Sequence, residues 1–319
     1  MSECIAATRQ IFEAYQRITR DPSAVNIAAR VEARTPSRSE SGGVIAVLPV
    51  FGFIEQRQSV YGRIFGSTAT DALSARFRQA MADSAVKAIV LQFDSGGGST
   101  FGVSELASVI RSARAKPVVA QIDAVACSAA FWIASACDEV ISTPSGICGS
   151  IGVYATHVDT TGADEKAGVR VEVLAAPSEK ANAVPGAKLS DEGRASLQEV
   201  VSTTYRRFVA DVAAGRGCST ANVEARYGRG NIMTATAAKV CGLVDTVATM
   251  DETLQRLASE RGRESVYQAQ RYRATFSADG GEAQRRLIIA RATVPSLHLV
   301  PAKTDGEEQR RRIRERAGL

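Results

Sequence analysis

The sequence predicts an α/β protein, with a mixed or parallel β sheet joined by crossover helices. Three observations predict it. Short apolar runs of strand length recur through the body of the chain, at 44–52 (VIAVLPVFG), 88–93 (AIVLQF), 117–122 (PVVAQI) and 139–142 (EVIS). Stretches with helical spacing alternate with these runs, the pitch of strand–helix–strand units. Glycine clusters stop the strands, most clearly SGGGS at 95–99.

The elements follow in order. Residues 4–20 read as an amphipathic helix, with Ile5, Ile11, Phe12, Tyr15 and Ile18 near one face. Residues 34–43 (RTPSRSESGG) are a polar linker. The body opens with 44–52, a continuous apolar run of the kind buried on both faces. A helix is expected over 69–83, capped by Thr68 or Thr70. After the strand 88–93 and its glycine turn come a helix at about 101–114 and the strand 117–122. A small-residue helix (128–137), the strand 139–142, a glycine-rich turn and a strand at 168–174 (GVRVEVL) come next. Residues 190–213 form a long helix with Leu197, Val200, Val201, Tyr205, Phe208 and Val212 on one face, available for an interface. Thr234–Val247 reads as a helix, a stop at Gly242 and a short strand, and 250–260 as a closing helix. The expected domains are therefore 1–43 (helix and linker), 44–260 (body) and 261–319 (a basic, partly disordered extension). The extension holds one apolar patch at 287–290 and a charged, helix-compatible end.

Composition narrows the function. A chain of 319 residues, 45% hydrophobic and 23% charged, can bury a core without staples. It is not collagenous, coiled-coil or wholly disordered. Aromatics at 6% argue against a base-stacking surface. Six cysteines without a CxxC pair argue against zinc and for reduced thiols of an intracellular protein. The start lacks an apolar signal region and no run of 18 apolar residues occurs, so neither a leader nor a membrane anchor is expected and the protein is placed in the cytoplasm. Residues 261–319 carry 13 Lys and Arg against 7 Asp and Glu, so the net charge of +5 resides in the extension. A solvated tail is the simpler reading; nucleic-acid contact is the alternative.

Three segments at strand ends carry candidate chemistry. In FDSGGGST (93–100), successive glycines permit positive φ and close backbone approach, so N–H groups could converge on a phosphate, an acyl-CoA carbonyl or an oxyanion. A plain tight turn accounts for it as well. In DAVACSAAFWIASAC (123–137), Ser128 lies at a strand-to-helix junction beside the N–H of Ala129; an ordinary N-cap serine is the alternative. In APSEKANAVPG (176–186), Lys180 reads as a solvated loop lysine, unless a buried serine adjoins it, when the neutral amine could serve as general base.

Together these segments resemble the signal peptide peptidase A family of serine peptidases, and within it the prohead (capsid maturation) proteases of tailed phages. The resemblance covers about residues 44–257. DSGGG (94–98) stands where the family has Asp-Ser-Pro-Gly-Gly, ACSAAFWIAS (126–135) where it has its nucleophile motif, and GSIGV (149–153) is unchanged. Alanines 129 and 130 replace two family glycines. The resemblance implies a Clp/crotonase-like fold and a Ser-Lys dyad: Ser128 as nucleophile, Lys180 as general base, Ser150 orienting the lysine, and N–H groups of Ala129 and of Gly97 or Gly98 as oxyanion hole. It implies protein substrates (scaffold, capsid or portal proteins, and the chain itself), peptide binding as an added strand, a homo-oligomer, and no metal or other cofactor. A soluble bacterial signal-peptide-peptidase-A-like protease is the alternative role. A crotonase-like acyl-CoA enzyme and a catalytically dead assembly protein are alternatives of other classes. Within the site, His157 with Asp159 or Asp94 could make a triad, and Cys127 could be the nucleophile. Asp94 otherwise reads as a turn or capping residue and Trp132 as a packing residue.

Overall fold

The computed structural model describes residues 37–38, 43–113 and 115–276, all within one unit spanning residues 1–281. The expected helix at 4–20, the apolar patch at 287–290 and the charged C-terminal stretch lie outside the described residues. A sheet organises the remainder. Its strands are β1 (Ser37–Arg38), β2 (Val44–Glu55), β3 (Ser67–Ala69), β4 (Val86–Gly98), β5 (Val118–Cys127), β6 (Glu139–Ser142), β7 (Ile147–Gly149), β8 (Ile232–Thr234) and β9 (Thr246–Val247). The order is β1-β2-β4-β5-β6-β9, with β3 beside β2, and β7 between β5 and β8. The β2–β4, β4–β5, β5–β6 and β6–β9 pairs are parallel; β1–β2 and β7–β8 are antiparallel. The mixed sheet with helical crossovers is thus the architecture found.

The alternation of side chains sorts each strand between two cores. Residues 46, 48 and 50 of β2, with 89, 91 and 93 of β4, face the larger core; 45 and 47, with 88 and 90, face the smaller. That two-sided burial explains why these strands read as unbroken apolar runs. The larger core is covered by α2 (Thr70–Ala82), α3 (Val103–Ser112), α4 (Ala129–Ser135) and the end of α6 (Asp191–Arg216). The smaller core is covered by α9 (Met250–Ala258) and α10 (Glu260–Phe276), which contribute Met250, Leu257 and Val266. The boundary expected after residue 260 falls just inside the start of α10. The other helices among the described residues are α1 (Val60–Phe65), α5 (Thr161–Lys166), α7 (Thr220–Arg226) and α8 (Ala235–Cys241).

Two local expectations are corrected. Neither Thr68 nor Thr70 caps α2, whose cap residue is Ala69, without a side-chain bond. The threonine hydroxyls instead donate to the Phe51 and Gln56 carbonyls and tie α2 and β3 to β2. The strand expected at 168–174 is absent: the segment is exposed and unpaired in the sheet. Periodicity reports the tendency to pair, and here no strand of the described chain lies beside it. The long helix begins one residue after its Ser190 cap, whose side chain accepts from Gly193 N–H, and ends at Gly217 in the left-handed conformation.

Candidate active site

β5 ends at Cys127 and α4 begins at Ala129, so Ser128 is the single residue that turns strand into helix. Its φ of 54° and ψ of −125° lie where a side-chain-bearing residue is strained. Two hydrogen bonds hold it there: its N–H donates to Gly149 O (2.9 Å), and its carbonyl accepts from Trp132 N–H (3.0 Å). It occupies the N-cap position, yet its side chain makes no cap hydrogen bond. The ordinary capping role that the sequence allowed is therefore not taken, and the half-buried hydroxyl is left for other use.

β7 places the second serine. Its register with β5 is parallel, Ala126 opposite Cys148 and Cys127 opposite Gly149. Ser128 and Ser150 are the residues that directly follow the paired Cys127 and Gly149. Ser150 also has positive φ, at 52°, and its N–H donates to Asn231 O at 2.8 Å. The two serines thus leave adjacent strands side by side.

Gly97 closes the other flank. With φ +106°, an added Cβ would stand 2.8 Å from both Ser128 Cβ and Cys127 O, and 3.1 Å from Ala129 N. Only glycine fits, which is the close approach the glycine cluster suggested. Gly97 N–H donates to Ser95 Oγ (3.1 Å), and Ser95 donates in turn to Gly52 O (2.6 Å). Gly98 abuts the Ile54 backbone, and Ser99 N–H donates to Ile54 O. Ser128, Ala129, Gly97 and Ser150 are therefore gathered at one point, with Gly98 next to it in β4.

Lys180 is placed differently. It lies in a short 3₁₀ turn, Ser178–Ala181, exposed to solvent. Its ammonium makes no hydrogen bond or ion pair to Ser128, Ser150 or any other described residue. The described residues of one chain do not supply the desolvated setting that a general-base lysine needs.

The competing assignments are engaged elsewhere. His157 Nε2 lies 2.7 Å from Ala187 O. Asp159 accepts from Thr161 through both its N–H and hydroxyl, and those bonds hold its carboxyl below the usual range. Cys127 is fully buried. Asp94, four residues before the end of β4, is exposed at its surface, yet partial desolvation of its carboxyl first, then the Asp123 carboxylate, keep that carboxyl above the usual range. Among the described residues, no group of three or more His, Cys, Asp or Glu is arranged to hold a metal, and no helix is long and apolar enough to cross a membrane.

Sequence reasoning missed three supports. Ser95 holds Gly97, and Asn231 holds Ser150. Asp211 accepts from Trp132 Nε1 (3.0 Å) and Ser104 Oγ (2.7 Å) and pairs with Arg111 and Arg207. Trp132 stacks on Phe208, with centroids 4.4 Å apart, so the helix after Ser128 is clamped to α6. Asn231 and Asp211 lie far from the motifs they serve, and no spacing rule links them.

Residues 111–264 match the family model described as Peptidase family S49. Over 176 residues the chain is 36% identical to the head-tail preconnector protein GP5 of Enterobacteria phage P21, covering 55% of this chain and 35% of that protein. It is 35% identical over 176 residues to the capsid assembly protease C of Escherichia phage lambda, covering 55% of this chain and 40% of that protein. It is 29% identical over 227 residues to Protease 4 of Salmonella typhi, covering 70% of this chain and 35% of that protein. The chain thus spans 35–40% of the length of these relatives. A solved ClpP1 variant from Listeria monocytogenes aligns with a TM-score of 0.42 at 13% identity, covering 65% of this chain and 92% of that one.

Proposed function

Because residues 111–264 match the model of peptidase family S49, we propose that this protein is a serine endopeptidase working through a Ser-Lys dyad. The observation that carries the reading is Ser128: strained, without a side-chain cap bond, and set between Gly97 and the start of α4. Ser128 Oγ attacks the scissile carbonyl, and Lys180 as the neutral amine takes its proton and passes it to the leaving amine. Ser150 accepts from or donates to Lys180 and fixes its direction. The oxyanion is received by Ala129 N–H, which has no intrahelical acceptor, and by a glycine N–H of β4. Since Gly97 N–H is already held by Ser95, Gly98 is the better second donor. Removing one such donor costs about 10²–10³ in rate. Lys180 is exposed, so the reading requires that bound peptide or a second copy cover it; the chain is expected to work as a homo-oligomer. No cofactor takes part.

The role is cleavage of scaffold, capsid or portal proteins, and of the chain itself, during phage head maturation in the host cytoplasm. The names of the two phage relatives support it. A bacterial protease role is the second reading, favoured by the longer alignment, 227 residues, to Protease 4.

The test is co-expression with capsid, scaffold and portal proteins of wild type, Ser128→Ala and Lys180→Ala, followed by intact-mass measurement of every chain and fluorophosphonate labelling. Trimming by wild type only, with a label on Ser128, is the expected result. A label on Ser128 with trimming intact in Lys180→Ala removes the lysine from the mechanism. No label and no trimming in wild type favour the acyl-CoA enzyme or the catalytically dead assembly protein.

A further inference from the structure

The segment 169–173, Val-Arg-Val-Glu-Val, has the strict alternation and β-branching of a strand. Yet among the described residues it has no strand partner. Val169, Val171 and Val173 are 51%, 69% and 41% exposed, and Leu174 after them 87%. The Val169 N–H donates to Asp164 O at 2.9 Å, while residues 170–175 make no hydrogen bond to any described residue. A row of open backbone groups with an apolar face is a template for another strand.

The order of charges selects the partner. We propose that this segment pairs antiparallel with the same segment of a second copy of the chain, centred on Val171. In that register Arg170 lies opposite Glu172 of the partner subunit, and Glu172 opposite Arg170 of the partner subunit, on one face of the ribbon. Val171 meets its own counterpart, and Val169 meets Val173 of the partner subunit, on the other face. The patch is self-complementary, as a two-fold contact demands. The register also agrees with the bond already made. If residues 170 and 172 are the hydrogen-bonded pairs, 169, 171 and 173 are the non-bonded ones, where side chains come closest; the engaged Val169 N–H is then not needed. The contact rests on the oligomer reading above, and its test reads assembly rather than cleavage.

The test uses the full chain in a Ser128→Ala background, so that self-cleavage does not intervene, by sedimentation velocity over a concentration series. Arg170→Glu and Glu172→Arg each place like charges opposite one another twice per contact, and each is expected to weaken assembly about tenfold or more. The double swap Arg170→Glu/Glu172→Arg restores the pairing, and an equimolar mixture of the two single variants assembles as a hetero-pair. Register is read by cross-linking. In Val171→Cys the two α-carbons stand about 4.5 Å apart, within disulfide reach, whereas in Arg170→Cys they lie beyond it. Mild oxidation is expected to link the first variant and not the second, with the unaltered cysteines as control. A monomeric wild type, single reversals that assemble like wild type, a swap that fails to restore, or equal cross-linking of both cysteine variants overturns the proposal.

Discussion

Replacing Gly97 by alanine tests whether the glycine turn and Ser128 touch as described. Two costs are expected. An alanine at φ +106° is strained, worth about 1–3 kcal/mol. Its methyl would also sit 2.8 Å from Ser128 Cβ and Cys127 O, a side-chain carbon with no rotamer of its own to escape by and a backbone oxygen, so something must shift; overpacking of this kind costs about 1–3 kcal/mol. The sum, about 2–6 kcal/mol, is a large part of an ordinary stability of about 5–15 kcal/mol. Gly66 isolates the first cost: its φ is +80° with nothing within 4 Å of an added Cβ. Urea denaturation of wild type, Gly97→Ala and Gly66→Ala should show midpoint losses of about 1–2 M for the former and well under 1 M for the latter. Fluorophosphonate labelling of Ser128 should fall in Gly97→Ala and persist in Gly66→Ala. If Gly97→Ala is no less stable than Gly66→Ala and labels normally, the close approach is wrong, and with it the placing of the glycine donors.

Three further outcomes are expected. Ser128→Gly should be more stable than Ser128→Ala by about 1 kcal/mol in urea denaturation, because relief of the strain at φ 54° outweighs the entropy of an added glycine. Asp245→Asn should lower stability by about 3–5 kcal/mol in the same assay, since it leaves Arg216, 2% exposed and bonded to both Asp245 oxygens, as a buried charge without its counter-ion. Asp94→Asn should stabilise the fold at neutral pH. A carboxyl held above its unfolded value of 3.8 weighs against folding while it is ionised, and that burden lifts as pH falls through its raised pKa. The gain should therefore shrink on acidification and vanish below about pH 3, read from denaturation midpoints across pH.

The sheet was legible because its strands are buried on both faces, so 88–93 and 117–122 stand out as apolar runs. Helix caps were harder. Thr68 and Thr70 have the right chemistry for capping, but β2 offers their hydroxyls better-placed carbonyls. The segment 168–174 shows the limit of periodicity, which registers a strand whether or not the same chain provides its neighbour. At the site, local motifs located Ser128, the glycines and Ser150, because each sits where a strand ends. How these are held was illegible. Asn231 reaches Ser150 from beyond the long helix, and Asp211 reaches Trp132 from within it, by three-dimensional proximity alone. The setting of Lys180 was illegible for the converse reason: its loop is exposed, and nothing in its sequence says what covers it.

The anchoring of Ser150 by Asn231, and of β7 by β8, bears on when the site comes into being. About 80 residues separate Ser150 from Asn231, which a ribosome adds in about 4–16 s. Through that interval a nascent chain carries both serines and the β5–β7 pair, but neither β8 nor the Asn231 carbonyl that holds Ser150. On the peptidase reading, the order of synthesis therefore withholds the cutting arrangement until most of the body has been made, so an unfinished chain is kept from acting on its neighbours.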